Sequence, residues 1–188
     1  MINGSGGFFR PDECVTRAEF VKMLTLTRPW QFNAERARDA DRFSDVGSTD
    51  WYYPYVGNAV TLSWVQGYSD GTFKPNKSVN RVEALKMSMW AYGIENYLSN
   101  KDYNWIDVET NAWYSPYFIS AEDKKLLPME HIKRPTVNPP IPGSYYYPNS
   151  CMARGEVAEL LYRIKAMSDN NVASFTTELL PTNIPASN

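Results

Sequence analysis

Asn80-Arg81-Val82-Glu83 is the stretch on which the fold turns, because it recurs as Thr16-Arg17-Ala18-Glu19 and as Ala153-Arg154-Gly155-Glu156. Each copy sets an arginine just inside a predicted helix start, with a glutamate two residues later. A motif present three times marks an array of repeats, each too small to bury its apolar face alone. Thr16 with Glu19, and Asn80 with Glu83, have the form of a capping box, in which cap and carboxylate satisfy each other's backbone donors. The arginine is outside that exchange. A helix start carries partial positive charge, so a cation there is misplaced unless an anion is near. That anion is either a ligand or a carboxylate of the next repeat, such as Asp45 or Asp107 for Arg81.

Working outward from Arg81, the second unit is complete. It opens at Phe43-Ser44-Asp45-Val46 and passes through Trp51-Tyr52-Tyr53-Pro54-Tyr55 and Ala59. Val65-Gln66-Gly67-Tyr68-Ser69-Asp70-Gly71-Thr72-Phe73-Lys74-Pro75 follows, and the Arg81 helix ends near Gly93. The third unit opens at Trp105-Ile106-Asp107-Val108. Asp45 and Asp107, Trp51 and Trp113, Pro54 and Pro116, Ala59 and Ala121 all share an offset of 62. Of the first unit only the second half is present: Gly7, Phe9, Pro11, Arg17 and Glu19 precede Gly71, Phe73, Pro75, Arg81 and Glu83 by 64. This half-unit reads either as truncated or as completed by a neighbouring chain.

The organisation expected is therefore residues 1–27 as half a repeat, 43–94 as a complete one, and 95–167 as a third with a proline-rich insertion at 128–150. Residues 28–42, with Arg36, Arg38, Asp39 and Asp41, read as a solvated linker. Residues 168–188 read as a linker or tail in which Phe175, Leu179 and Leu180 allow one short docked turn. Each unit reads as helix, turn, helix. Pro54 and Pro116 suit a first helical turn, where a missing N–H is harmless. Phe20, Met23, Leu24 and Thr27, and likewise Val157, Leu160, Leu161 and Ile164, have the spacing of a buried helical stripe. Three such stripes bury one another around a pseudo-threefold centre. The predicted class is mainly all-α, with short extended segments and long loops.

Composition narrows function. The formal charge of -2 over 188 residues gives no basis for nucleic-acid binding. Aromatic content of 14%, with 6 Trp and 13 Tyr, suits a surface that grips sugar rings. No apolar run approaches the roughly 18 residues of a membrane span, and Met1-Ile2-Asn3-Gly4 has neither part of a secretory leader. The one histidine, His131, lies in the proline-rich stretch, and no nucleophile-elbow, zinc or phosphate-loop motif occurs. No catalytic residue, metal or cofactor is expected.

The F-x-D start, the Trp, the helix with a central Ala, G-Y-x-D-G-x-F-x-P and T-R-A-E together resemble S-layer homology repeats, the wall-anchoring modules of bacterial surface proteins. Residues 43–94 fit nearly throughout, and 2–27, 105–127 and 151–166 in part. The resemblance implies an extracellular, cell-wall location and a pseudo-threefold helical fold. It implies binding of secondary cell-wall polysaccharide or a peptidoglycan-linked glycan, in many cases through an acidic pyruvylated sugar, in grooves between repeats. It points to Arg17, Arg81 and Arg154 as anion contacts, helped by helix N–H groups, and to Asp45, Trp51, Gly67, Asp107 and Trp113 as groove lining. A pyruvate ketal carries a carboxylate that an arginine fork holds through two hydrogen bonds. Core packing for the tryptophans, and capping by the aspartates, are the plainer readings. The rival function is a structural subunit that assembles with neighbouring surface-layer subunits.

The departures lie in repeat three. It lacks Gly-Tyr-x-Asp-Gly, Ala153 cannot cap, and Gly155 weakens the first turn, so a groove built on it is expected to be degenerate. Cys14 and Cys151 both sit three residues before their arginine. Equivalent positions near a pseudo-threefold axis approach disulfide distance, and those far from it do not. The pair is a candidate disulfide of an exported protein.

Overall fold

The computed structural model describes residues 8–97, 105–127 and 145–180. Its helices are α1 (Arg17–Thr27), α2 (Tyr53–Thr61), α3 (Arg81–Ala91), α4 (Ser115–Asp123) and α5 (Arg154–Asp169), with 3-10 segments at Pro29–Gln31, Ala34–Arg42 and Thr177–Leu179. Isolated bridges are the only β pairing among the described residues, so the class is all-α. His131 and residues 128–144 of the insertion lie outside the described residues.

The capping boxes expected at Thr16 and Asn80 form. Ala153 offers no acceptor, but Glu156 still accepts its N–H at 2.8 Å. Pro54 and Pro116 occupy the first turns of α2 and α4. The second helices of the units, α1, α3 and α5, touch pairwise. Phe20, Leu24, Leu85, Met89, Leu160 and Ile164 are fully buried between them, each stabilising by about 1.5–3 kcal/mol.

The axis passes through a triangle of backbone. Val15 N–H donates to Met152 O (3.1 Å), Met152 N–H to Val79 O (2.9 Å) and Val79 N–H to Val15 O (2.9 Å), all at 2 residues before an arginine. Bridges Cys14–Ala153, Asn80–Cys151 and Thr16–Ser78 repeat the same cycle one step out. Cys14 and Cys151 are bonded, with Cα atoms 5.7 Å apart, and tie repeat one to repeat three across 137 residues. Backbone donors at the helix starts are consumed by the neighbouring repeat. Ala18 N–H reaches Pro75 O at 3.0 Å, Val82 N–H reaches Pro148 O at 3.3 Å, and Gly155 N–H reaches Pro11 O at 2.8 Å.

Residues 34–42 differ from the solvated linker expected. They form a 3-10 strap against α2. A Cβ on Gly57 would stand 2.3 Å from Ala37 O, so only glycine admits this approach. Two of the strap's exposed carboxylates bind α2: Asp41 accepts from Tyr53 Oη at 2.7 Å and Asp39 from Thr61 Oγ1 at 2.5 Å. The tail also docks. Phe175 is buried and its N–H donates to Lys124 O at 2.9 Å.

Candidate functional site

The three arginines form a cycle. Arg81 Nη2 lies 2.6 Å from Glu156 Oε1, Arg154 Nη2 lies 2.8 Å from Glu19 Oε1, and Arg17 Nη1 lies 3.7 Å from Glu83 Oε1. Each arginine thus reaches the glutamate of the next repeat in the ring. Arg17 is 4% exposed, donates from Nε to Phe73 O (2.9 Å) and from Nη2 to Gln66 O (3.3 Å), and lies between the rings of Tyr68 and Phe73. The anion expected beside each arginine is therefore present within the protein, as a Glu rather than Asp45 or Asp107. The helix N–H groups expected to help a ligand are taken by the proline carbonyls described above.

Asp45 and Asp107 have matching structural work. Asp45 accepts from Phe73 N–H (2.7 Å) and Lys74 N–H (2.8 Å), and Asp107 from Tyr146 N–H (2.8 Å) and Tyr147 N–H (2.6 Å). Both oxygens of each carboxylate accept from backbone N–H groups instead of facing sugar hydroxyls. The match also shows that Tyr146-Tyr147-Pro148 resumes, after the insertion, the place of Phe73-Lys74-Pro75. Lys74 and Tyr147 share a left-handed backbone, at φ 57° and 56°.

A groove of about 150 Å³ opens between repeats. Arg17 of the first repeat closes its back; Gly67, Tyr68, Lys86 and Trp90 of the second line one side, and Trp113 of the third the other. Gly67 has to be glycine, since a Cβ would meet Phe43 Cε1 at 2.2 Å. Trp51 and Trp113 are 52% and 56% exposed, which decides against the core reading. Trp113 stands edge-on to Tyr114 and Tyr117, its position fixed by α4. Lys86 Nζ lies 5.3 Å from the Trp113 ring, 4.3 Å from Trp90 and 5.9 Å from Tyr117. It pairs with no carboxylate among the described residues, and burial lowers its pKa. Lys74 and Lys77 lie 4.2 Å and 5.1 Å from the Tyr68 ring, but they are neutralised by Asp70 at 2.9 Å and by Glu83 at 3.8 Å, and Glu83 also lines the groove. Exposed aromatic faces beside an unpaired ammonium suit an anionic, ring-shaped ligand.

Sequence reasoning missed Lys86, Trp90 and Tyr68. The lysine carried a signal: Lys22 and Lys86 stand 64 apart, each five residues beyond its arginine.

Residues 42–85 match the S-layer homology domain model. The matched stretch contains Asp45, Trp51, Gly67 and Arg81. Among similar proteins, the Middle cell wall protein of Brevibacillus brevis is 34% identical over 96 residues, 50% of this chain. The Surface layer protein of Brevibacillus choshinensis is 35% identical over 96 residues, again 50% of this chain. Cell surface glycoprotein 1 of Acetivibrio thermocellus is 35% identical over 81 residues, 41% of this chain. The matches cover 9%, 9% and 3% of those proteins, so this chain spans a small part of their length. The S-layer homology domain and these relatives indicate a bacterial cell-surface location.

Proposed function

We propose that this chain is a non-catalytic, non-covalent anchor that holds an acidic, pyruvylated secondary cell-wall polysaccharide in the groove of Lys86 and Trp113. The observation that carries the reading is the half-buried Lys86 ammonium, without a carboxylate partner among the described residues, against an exposed Trp113 face. The glycan's carboxylate pairs with Lys86, its ring stacks on Trp113, and water is excluded by Trp90 and Tyr68. Arg17 acts from behind as a fixed positive charge. Arg81 and Arg154 serve in the same indirect way, through the ring that orders the repeats.

The rival reading, a surface-layer assembly subunit, draws on the names of two relatives, a Surface layer protein and a Middle cell wall protein. Co-sedimentation with purified wall sacculi, before and after chemical removal of their secondary polysaccharide, separates the two. Anchoring predicts binding that disappears with the polysaccharide, weakens with salt and falls at least tenfold in Lys86→Ala. Assembly predicts sedimentation without sacculi that rises with protein concentration.

A further inference from the structure

We infer that the Cys14–Cys151 bond is a redox latch. A small thiol reaches it in the folded chain, and its reduction opens the seam between the first and third repeats while the other two seams stay closed. This goes beyond the anchoring reading and does not depend on it.

Two of the three seams are joined by the chain itself. Residues 28–42 link the first repeat to the second, and the segment from α3 to α4 links the second to the third. The third and first repeats are tied covalently by the disulfide alone, across 137 residues. The remaining equivalent position, three residues before Arg81, holds Ser78, so no such pin crosses the other seams. The pinned seam is also the least buried. Its glutamate, Glu19, is 33% exposed, against 16% for Glu83 and 2% for Glu156 in the other two pairs. Its helix start, at Ala153, has no side-chain acceptor. Tyr162 of α5 is 39% exposed, where Thr25 and Met89 at the same register of α1 and α3 are buried.

The bond itself is open to solvent. Cys14 is exposed and Cys151 half-buried, and both line a cavity of about 420 Å³ beside Asp12 and Ser150. Exposed disulfides are the ones that exchange readily with thiols. The thiolate of a small thiol attacks Cys14 Sγ and forms a mixed disulfide, while Cys151 Sγ leaves as a thiolate and takes a proton from water. A second small thiol attacks the mixed disulfide at the small molecule's own sulfur and frees Cys14. The protein disulfide gains two electrons, and the two small thiols depart joined as their own disulfide. The seam is then carried by the Arg154–Glu19 pair and by backbone bonds from Val15 N–H to Met152 O (3.1 Å), Arg154 N–H to Glu13 O (2.8 Å) and Gly155 N–H to Pro11 O (2.8 Å). With its one covalent tie gone, this seam becomes the cheapest place for the ring to open. The groove of Lys86 and Trp113 is built across the other two seams and keeps its form.

The test is reduction of the whole chain by glutathione in native buffer, quenched with iodoacetamide and read by mass. The rate should rise in proportion to thiol and be indifferent to urea below the unfolding transition. Hydrogen exchange under excess thiol, resolved by residue with NMR, should then accelerate by about tenfold or more at Val15, Arg154 and Gly155. Arg17 and Ala18, bonded to Lys77 O and Pro75 O, and Arg81 and Val82, bonded to Ser150 O and Pro148 O, should keep their protection. Oxidised glutathione should restore the parent pattern. Cys14→Ser with Cys151→Ser should exchange like the reduced chain and ignore thiol. A reduction rate that saturates with thiol or climbs with urea would mean that the bond is reached only by unfolding, and overturns the latch. Equal loss of protection at all three seams, or no loss at any, overturns it too.

Discussion

Arg81 Nη2 sits 2.6 Å from Glu156 Oε1, so the arginine of the second repeat is held by the glutamate of the third. Arg154 with Glu19 and Arg17 with Glu83 complete the cycle. The recurrent four-residue motif is therefore one device with two hands. Its glutamate caps its own helix and binds the arginine of the preceding repeat. The misplaced cation at each helix start is neutralised from the neighbouring unit, and this links the repeats into a ring.

Breaking one link should be costly where it is most buried. Glu156 is 2% exposed and Arg81 12%. Removing one partner of a buried pair leaves the other charge unpaired, at about 3–5 kcal/mol. Glu156→Ala should lower urea stability by about that much. Glu19→Ala, in a pair whose glutamate is 33% exposed, should cost clearly less.

Acid should open the same ring from the Glu19 side. Burial raises the Glu19 carboxyl, but the Thr16 N–H, the Arg154 guanidinium and the Thr16 hydroxyl outweigh it and hold the group below its ordinary 4.5. A depressed folded-state value means that the stabilisation is complete above the unfolded value and is lost as pH falls through the folded one. Melting temperature scanned from neutral pH downward should begin to drop below about pH 4.5. In Arg154→Ala that acid-side slope should be shallower.

The disulfide should be a large stabiliser. Cys14 and Cys151 close a loop of sequence separation 137 at the hub, which the chain-entropy model values at about 5 kcal/mol. Cys14→Ser with Cys151→Ser should melt well below the parent, and non-reducing mass spectrometry of the parent should find no free thiol.

Trp113 separates binding from folding. It is 56% exposed, so Trp113→Ala should shift stability by less than about 1 kcal/mol while weakening glycan binding at least tenfold. Gly67→Ala should instead cost stability. Its Cβ would collide with Phe43 at 2.2 Å, and overpacking of that kind costs about 1–3 kcal/mol.

Much of the fold was legible because repeats expose their own register. The offsets of 62 and 64 located Pro54, Pro116, the capping residues and the buried stripes before any coordinates. What was not legible depended on contacts between repeats. Nothing local tells that Arg81 meets Glu156 rather than Asp45, since the pair is 75 residues apart. Composition made 28–42 look solvated, yet Asp39 and Asp41 bind Thr61 and Tyr53 of α2; hydrophilic residues facing partners and facing water look alike in a sequence. The insertion concealed that Tyr146-Tyr147-Pro148 resumes the second repeat's Phe73-Lys74-Pro75. Lys86 was visible at the offset of 64 from Lys22, but lysine on a helix face usually means solvent. Its significance came from the exposed Trp113 beside it.

The most direct measurement is calorimetric titration of the parent chain with a wall-polysaccharide fragment in two forms, with the pyruvyl group intact and with it removed. The account predicts binding to the pyruvylated form only, weakened by added salt and at least tenfold by Lys86→Ala. Equal binding of the two forms, or binding indifferent to that lysine, would contradict it.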